Sequence, residues 1–267
     1  MLRQGIEDEI VDWMKRQAEK RNCEGGVFGL SGGVDSSTIA PLARRAFGSD
    51  ALGVMLPASG TSCEDMEYAQ LAADSCNLDT LTLDLSDANE VLQHTFSSLD
   101  LSKTTREYYP QTAIQNAGSP DLGSQNIQTR LRMMTLYYIA ECKNYLVVGP
   151  TNKSEILTGY LTVYGDAGTD IRPLGDLLKT EVWELAEKLN VPREIIKRPP
   201  TGAMGEGENR VTDAEEFGLD YETFDKIYLD LQNGSDLSNY DMEKVNRVVE
   251  IIAHAQNKLE VPCFQKD

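Results

Sequence analysis

Positive charge is scarce in this chain: 25 Lys and Arg face 43 Asp and Glu, for a formal net charge of −18 at pH 7. Nucleic acids and anionic membranes are held by basic stripes, so neither is expected as a partner. A small anionic substrate would need local Arg and Lys to overcome the field of the whole surface. The surplus acid has two readings, solubility or adaptation to salt. Cysteine is sparse too. Cys23, Cys63, Cys76, Cys142 and Cys263 form no Cys-x-x-Cys pair. An odd, scattered set excludes a disulfide framework and predicts reduced thiols in a cytoplasm, each a small buried apolar residue. No apolar run approaches the ~20 residues of a membrane helix. The opening Met1-Leu2-Arg3-Gln4-Gly5-Ile6-Glu7-Asp8 has no secretory apolar core. A soluble, cytoplasmic protein is expected. Internal repeats and low-complexity tracts are absent, as are Gly-Lys-Ser/Thr and Gly-x-Gly-x-x-Gly phosphate loops. No Ser/His/Asp set suggests a covalent nucleophile.

What is present is the stretch Val27-Phe28-Gly29-Leu30-Ser31-Gly32-Gly33-Val34-Asp35-Ser36-Ser37. It reads as an apolar strand, a glycine-rich turn and the start of a helix running through Ile39, Leu42 and Ala43. Backbone N–H groups freed by the turn and the first helical turn would converge, and the helix dipole adds positive potential there. That geometry binds phosphate. Asp35 is out of place beside phosphates unless a divalent cation stands between them.

The rest of the chain alternates. Ile6, Ile10, Trp13, Met14 and Ala18 predict an amphipathic helix over about 3–21. Ala51–Leu56 reads as a second strand. Ser62 and Asp65 form a capping pair opening a helix through Met66, Ala69, Leu71 and Ala72. Leu81–Leu85 reads as a third strand, and a helix follows near 88–98. Residues 101–123, with Pro110, Gly118, Pro120 and Gly123, read as a long loop. A helix from about Ser124 to Cys142 carries one apolar stripe of Ile127, Leu131, Met134 and Tyr138. Arg130 flanks that stripe and Arg132 lies away from it, where it reads as surface charge. Tyr145–Gly149 is a fourth strand, followed by Pro150-Thr151-Asn152. The predicted class is α/β, a Rossmann-like open parallel sheet with helices on both faces.

In such sheets ligands collect at the carboxyl ends of the strands, which places Thr151, Asn152 and Glu155 on the rim of the Ser31–Ser36 loop. Glu155 is a candidate second metal carboxylate, although alone it reads as an ordinary helix residue. Thr158–Asp170 is glycine-rich and without clear period, a binding loop in which Asp166 and Asp170 are polar groups. Lys179 precedes a helix with Val182, Leu185, Ala186 and Leu189 on one face, and can approach a phosphate. Taken singly it reads as a solvent-exposed lysine. Residues 198–212 are rich in Pro and Gly and suit a lid. Helices near 221–231 and 241–257 close the chain, the second with Val245, Val248, Val249 and Ile252 on one face. The 267 residues are read as a single domain, 1–267.

Four segments carry a specific resemblance: Gly29–Ser36, Asn126-Ile127-Gln128-Thr129-Arg130-Leu131-Arg132-Met133, Thr151–Glu155 with Tyr164-Gly165-Asp166, and Pro173–Thr180. The first resembles the pyrophosphate loop of the N-type ATP pyrophosphatases, whose fold is adenine nucleotide alpha-hydrolase-like. In this order and spacing all four resemble the ammonia-dependent NAD synthetases. The resemblance implies an ATP-dependent amidation of deamido-NAD by ammonia, giving NAD, AMP and pyrophosphate, with Mg²⁺, in a homodimer. It implies that Gly29, Leu30, Ser31, Gly32, Gly33, Val34, Asp35 and Ser36 hold the ATP phosphates, joined by Thr151, Lys179 and Thr201. Asp35 and Glu155 would hold Mg²⁺, with Asp35 and Lys179 carrying the catalysis. Arg130, Asp170 and Lys258 would meet deamido-NAD. The length leaves no room for a glutaminase domain, so free ammonia or a partner protein would supply nitrogen.

This chain departs from the family's pattern in three places. Val163 stands where the family usually has lysine, Asn257 where it has histidine before Lys258, and the lid reads Pro200-Thr201-Gly202-Ala203-Met204-Gly205-Glu206. The losses of a cation at 163 and a histidine at 257 leave adenylation intact, whereas each lost charge-assisted bond to the acceptor costs roughly 1.5–3 kcal/mol. The alternative is therefore a divergent amide ligase for another carboxylate. A tRNA-modifying pyrophosphatase is opposed by the acidity and the missing Cys-x-x-Cys, and a silent nucleotide-binding subunit by Asp35, Glu155 and Lys179 together.

Overall fold

The structure is a computed structural model that describes residues 2–99, 120–200, 212–214, 218–255 and 258–259, with the side chains of 120–122 also left aside. The expected loop through residue 119, Thr201 and most of the lid, Asn257 and Cys263 lie outside the described residues.

Strands β1 (Gly25–Gly29), β2 (Ala51–Met55), β3 (Asp79–Thr82) and β4 (Tyr145–Val147) form one parallel sheet in the order β3-β2-β1-β4. Val27 of β1 stands level with Leu52 of β2 and Val147 of β4. The helices are α1 (Ile6–Arg21), α2 (Val34–Phe47), α3 (Cys63–Ser75), α4 (Ser86–Ser97), α5 (Pro120–Lys143), α6 (Lys153–Thr158), α7 (Lys179–Lys188), α8 (Arg193–Ile196), α9 (Tyr221–Asn233) and α10 (Met242–Ala255).

Side chains alternate along the strands and feed two cores. Phe28, Leu146 and Val148 pack with α1, α2, α3 and α7 on one face, while Val27, Val54 and Val147 pack with α4 and α5 on the other. The expected open parallel sheet with helices on both faces is what forms. A third cluster joins Leu157 of α6 to Phe224 and Ile227 of α9 and Val245, Val248 and Ile251 of α10. This satellite matters for the site, because α9 also packs on α7.

Several local expectations shift. The ladder of β3 ends at Thr82, since β2 has partners only through Met55, although Leu83 N still donates to Met55 O at 3.0 Å. Helix α5 begins a turn early at Pro120, a residue whose missing N–H costs nothing in a first turn. Its expected stripe splits: Leu131 is buried, but Met134 and Tyr138 are 58% and 69% exposed. The packed side instead carries Leu136, Tyr137, Ile139 and Ala140, which are the side chains that meet β1 and β4. The cysteines are less buried than expected. Cys63 and Cys142 are exposed, and Cys23 and Cys76 are half-buried, because each sits at or near the end of a helix rather than on a strand.

Candidate active site

The strand order reverses between β1 and β4, and a crevice opens there at their carboxyl ends. On one side, Leu30 N donates to Val54 O at 2.9 Å, which prolongs β1 by one residue before the turn. Gly32 then takes φ +79°, and a Cβ there would lie 2.5 Å from Asp65 O and 3.0 Å from Ala69 N of α3. Only glycine satisfies both the backbone angle and that close approach. The hydroxyls of Ser31 and Ser36 are 3.0 Å apart, and Ser36 Oγ donates to Gly33 O at 3.1 Å. These bonds close the turn onto the first residues of α2. Gly33, the N-cap of α2, has no side chain with which to accept from the first N–H groups of the helix. The start of α2 is thus open to an anion.

The opposite wall is built from α6 and α7. Asn152 is fully buried and opens α6 with a capping box: its Oδ1 accepts from Glu155 N at 2.9 Å, while its own N donates to Glu155 Oε2 at 3.1 Å. Its Nδ2 crosses the crevice to Asp35 Oδ1 at 2.9 Å. One asparagine therefore holds both candidate metal carboxylates in place. The Lys179 ammonium hydrogen-bonds Asp35 Oδ2 and lies 3.8 Å from Glu155 Oε1.

Lys179 is only 2% exposed, so the reading as a solvated lysine is overturned, as is that of Glu155 as an ordinary helix residue. Burial pulls the Lys179 pKa down, but Asp35 and Glu155 together outweigh it and leave it above the usual lysine value. Burial and then the Asp35 carboxylate hold Glu155 well above the ordinary carboxylate range. Two carboxylates forced together around one cation are a demand for positive charge. A buried ion cluster of this kind says little for stability and much for chemistry.

The pair fits a divalent ion. The described residues hold no group of three or more His, Cys, Asp and Glu arranged for a metal. An ion on Asp35 and Glu155 would therefore take its remaining oxygens from phosphate and water, which is the usual habit of Mg²⁺.

Further groups close the pocket from the C-terminal side. The Tyr221 ring of α9 lies 5.4 Å from the Lys179 ammonium, and its hydroxyl donates to Asp213 Oδ2 at 3.1 Å. Asp225, one turn along α9, is buried and accepts from Ser154 Oγ at 2.5 Å and from Thr180 N and Oγ1, each at 2.9 Å. Tyr221, Ser154 and Asp225 were missed by sequence reasoning. A signal existed: Asp225 falls among Tyr221, Phe224 and Ile227 on the apolar side of an amphipathic helix, where a lone carboxylate must have buried donors.

Of the remaining expected residues, Thr151 is buried on the rim after β4. The exposed Arg130 donates from Nη2 to Val163 O at 3.3 Å. Lys258 donates to Gly159 O and, at 2.8 Å, to Leu161 O. Asp170 is half-buried and accepts from Val147 N at 2.8 Å and from Tyr137 OH at 3.3 Å. These three are not brought to one point, but all lie along the 158–170 segment or its anchors. Arg132 is no surface charge: its Nε donates to Leu56 O at 3.0 Å, just past the end of β2.

Comparison with known proteins identifies the family. The family model described as NAD synthase matches residues 6–262. A protein of Finegoldia magna named NH(3)-dependent NAD(+) synthetase is 37% identical over 235 residues, 88% of this chain and 87% of that protein. One of the same name from Methanocaldococcus jannaschii is 35% identical over 264 residues, covering 96% and 95%. Among solved structures, an NMN synthetase from Francisella tularensis superposes with a TM-score of 0.82 at 27% identity, covering 99% and 98%. The NH3-dependent NAD synthetase of Campylobacter jejuni, with a TM-score of 0.75 at 24% identity over the full length of both chains, shares the fold. This chain belongs to the NAD synthase family and is a carbon–nitrogen ligase of the ammonia-dependent type.

Proposed function

We propose that the protein amidates deamido-NAD with ammonia, using ATP and releasing AMP and pyrophosphate. The observation that carries this reading is the buried Lys179 ammonium, which reaches across the crevice from beside Glu155 to Asp35 of the Ser31–Ser36 segment. The nicotinate carboxylate attacks the α-phosphorus of ATP, a bond to phosphorus forms, and pyrophosphate leaves. Ammonia then attacks the acyl carbon, loses a proton, and AMP departs with the former carboxylate oxygen.

Each part of the site has a task in that sequence. The open start of α2 and the Gly32–Gly33 turn receive the phosphates. Lys179 brings a desolvated positive charge to the leaving pyrophosphate, where it acts far more strongly than in water. Asp35 and Glu155 would hold Mg²⁺, which supplies charge neutralisation for two reacting anions. Thr151 and Thr201 complete the nucleotide contacts, and Arg130, Asp170 and Lys258 those to the acceptor. No helix among the described residues is long and apolar enough to cross a membrane. The exposed Met134 and Tyr138, one turn apart on α5, support a homodimer, since large apolar residues left outside one chain are natural contacts for a second. We read residues 1–267 as one domain, with the lid at about 198–212.

Pyrophosphate release from ATP, Mg²⁺ and ammonium, with NAD measured in parallel, tests the proposal. Release that requires deamido-NAD and equals the NAD formed is expected. Release driven instead by nicotinate mononucleotide, the deamidated form of the product named for the Francisella protein, would overturn the acceptor while keeping the chemistry. Absence of release with either acceptor, from protein that binds ATP, would overturn the reaction.

A further inference from the structure

Helix α7 begins with a problem. Its N-cap is Leu178, whose side chain accepts no hydrogen bond, so the first N–H groups of the helix must find acceptors elsewhere. Two helices distant in sequence provide them. Lys179 N donates to Ser154 Oγ at 2.9 Å, and Thr180 N donates to Asp225 Oδ2 at 2.9 Å. Ser154 in turn donates its proton to Asp225 Oδ1, and Thr180 Oγ1 donates to Oδ2. Every one of these bonds ends on Asp225 or on the serine that Asp225 orients.

The residues so joined are those flanking the active-site charges. Ser154 precedes Glu155 in the first turn of α6, and Thr180 follows Lys179 in the first turn of α7. Asp225 is 1% exposed and Ser154 fully buried, so water does not compete for these donors. The same helix face carries Tyr221 over the Lys179 ammonium. An aspartate placed beyond the ammonium, on a helix of the satellite core, thus fixes the origin from which the Lys179 side chain extends and ties it to the turn bearing Glu155.

We propose that Asp225 is a positioning residue for the adenylation step, acting through Ser154 and Thr180 on the backbone at Lys179. This rests on the role given above to Lys179. Asp225 acts without touching substrate. Its effect is on kcat through the placement of Lys179, with the KM for the acceptor left in place.

The test is a double-mutant cycle between Asp225→Ala and Lys179→Met, read as pyrophosphate release at saturating ATP and acceptor, with melting temperature followed throughout. In the unaltered background Asp225→Ala should lower kcat by about 10–100-fold, the range seen when groups that orient active-site ligands are removed. In the Lys179→Met background the further loss should be under about 2-fold, because residues acting as a unit are non-additive. Equal fold losses in both backgrounds would overturn the proposal, since a general structural role is indifferent to residue 179. Thr180→Val keeps the shape and removes one bond to Asp225. It should show the same dependence on background at about 2–5-fold, which keeps the test decisive if Asp225→Ala does not fold. Full activity of Lys179→Met alone is a separate result. It would overturn the role of Lys179 and this inference with it.

Discussion

The two walls of the crevice meet at Asp35 but are built in opposite ways. The Ser31–Ser36 wall is contiguous. Its bonds join residues five apart or fewer, and its shape follows from glycine at a left-handed position and from a helix that starts without a side-chain cap. The Lys179 wall is assembled from α6, α7 and α9, and the bonds that hold it span 25 to 71 residues. A contiguous anion site needs only local backbone geometry. A buried ammonium between two carboxylates needs several elements to arrive together, because each charge is costly to bury alone.

Changes at the meeting point and on either side should separate these two modes. The largest effect is expected at Asp35, which both walls share. Asp35→Asn should lower ATP cleavage roughly 10²–10³-fold with an unchanged circular dichroism spectrum, and full activity would remove the proposed metal role. On the contiguous wall, Gly32→Ala forces both an unfavourable φ and a clash with the α3 backbone. A stability loss of about 2–4 kcal/mol is expected, visible as a fall in melting temperature; a neutral effect would show that the turn tolerates a side chain.

Arg130 tests the acceptor side. Arg130→Ala should raise the KM for the acceptor about tenfold while leaving that for ATP near its starting value, as for loss of one charge-assisted contact. Equal changes in both would place Arg130 elsewhere.

The smallest effect probes the scaffold beneath. Burial, and then Asp170, raise the Tyr137 hydroxyl to about 12. The fold therefore favours the protonated phenol. Its contribution is complete below the unfolded value of about 10 and lost as pH rises through the folded one. Tyr137→Phe should cost ~1 kcal/mol in chemical denaturation at pH 8, and the gap from the unaltered protein should close in strongly alkaline solution. A gap that persists there would assign it to packing instead.

Much of the fold was legible because its signals are short-range. The parallel alternation, the Ser62–Asp65 capping box and the strands β1, β2 and β4 appear where residue types called for them, with β3 displaced two residues toward the N-terminus. Misreadings arose where a partner across space decides the outcome. Met134 and Leu131 share a helical spacing, yet only Leu131 meets the sheet side of α5. Arg132 looked solvated by its position off the stripe, but the carbonyl of Leu56 lies within its reach. Asp225 was unremarked because its three donors come from α6 and α7.

The sequence by itself determined the phosphate-binding turn, since glycine at 32, the paired serines and the following helix specify their geometry within eight residues. It also determined the α/β alternation, which the spacing of apolar residues encodes. Only the tertiary structure decided that Lys179 is buried, that Glu155 stands beside Asp35, and that α9 holds the start of α7 through Asp225 and sets Tyr221 by the Lys179 ammonium. The reason is physical: a backbone turn is settled by its own residues, whereas the state of a charge is settled by whatever the rest of the chain brings within a few ångströms of it.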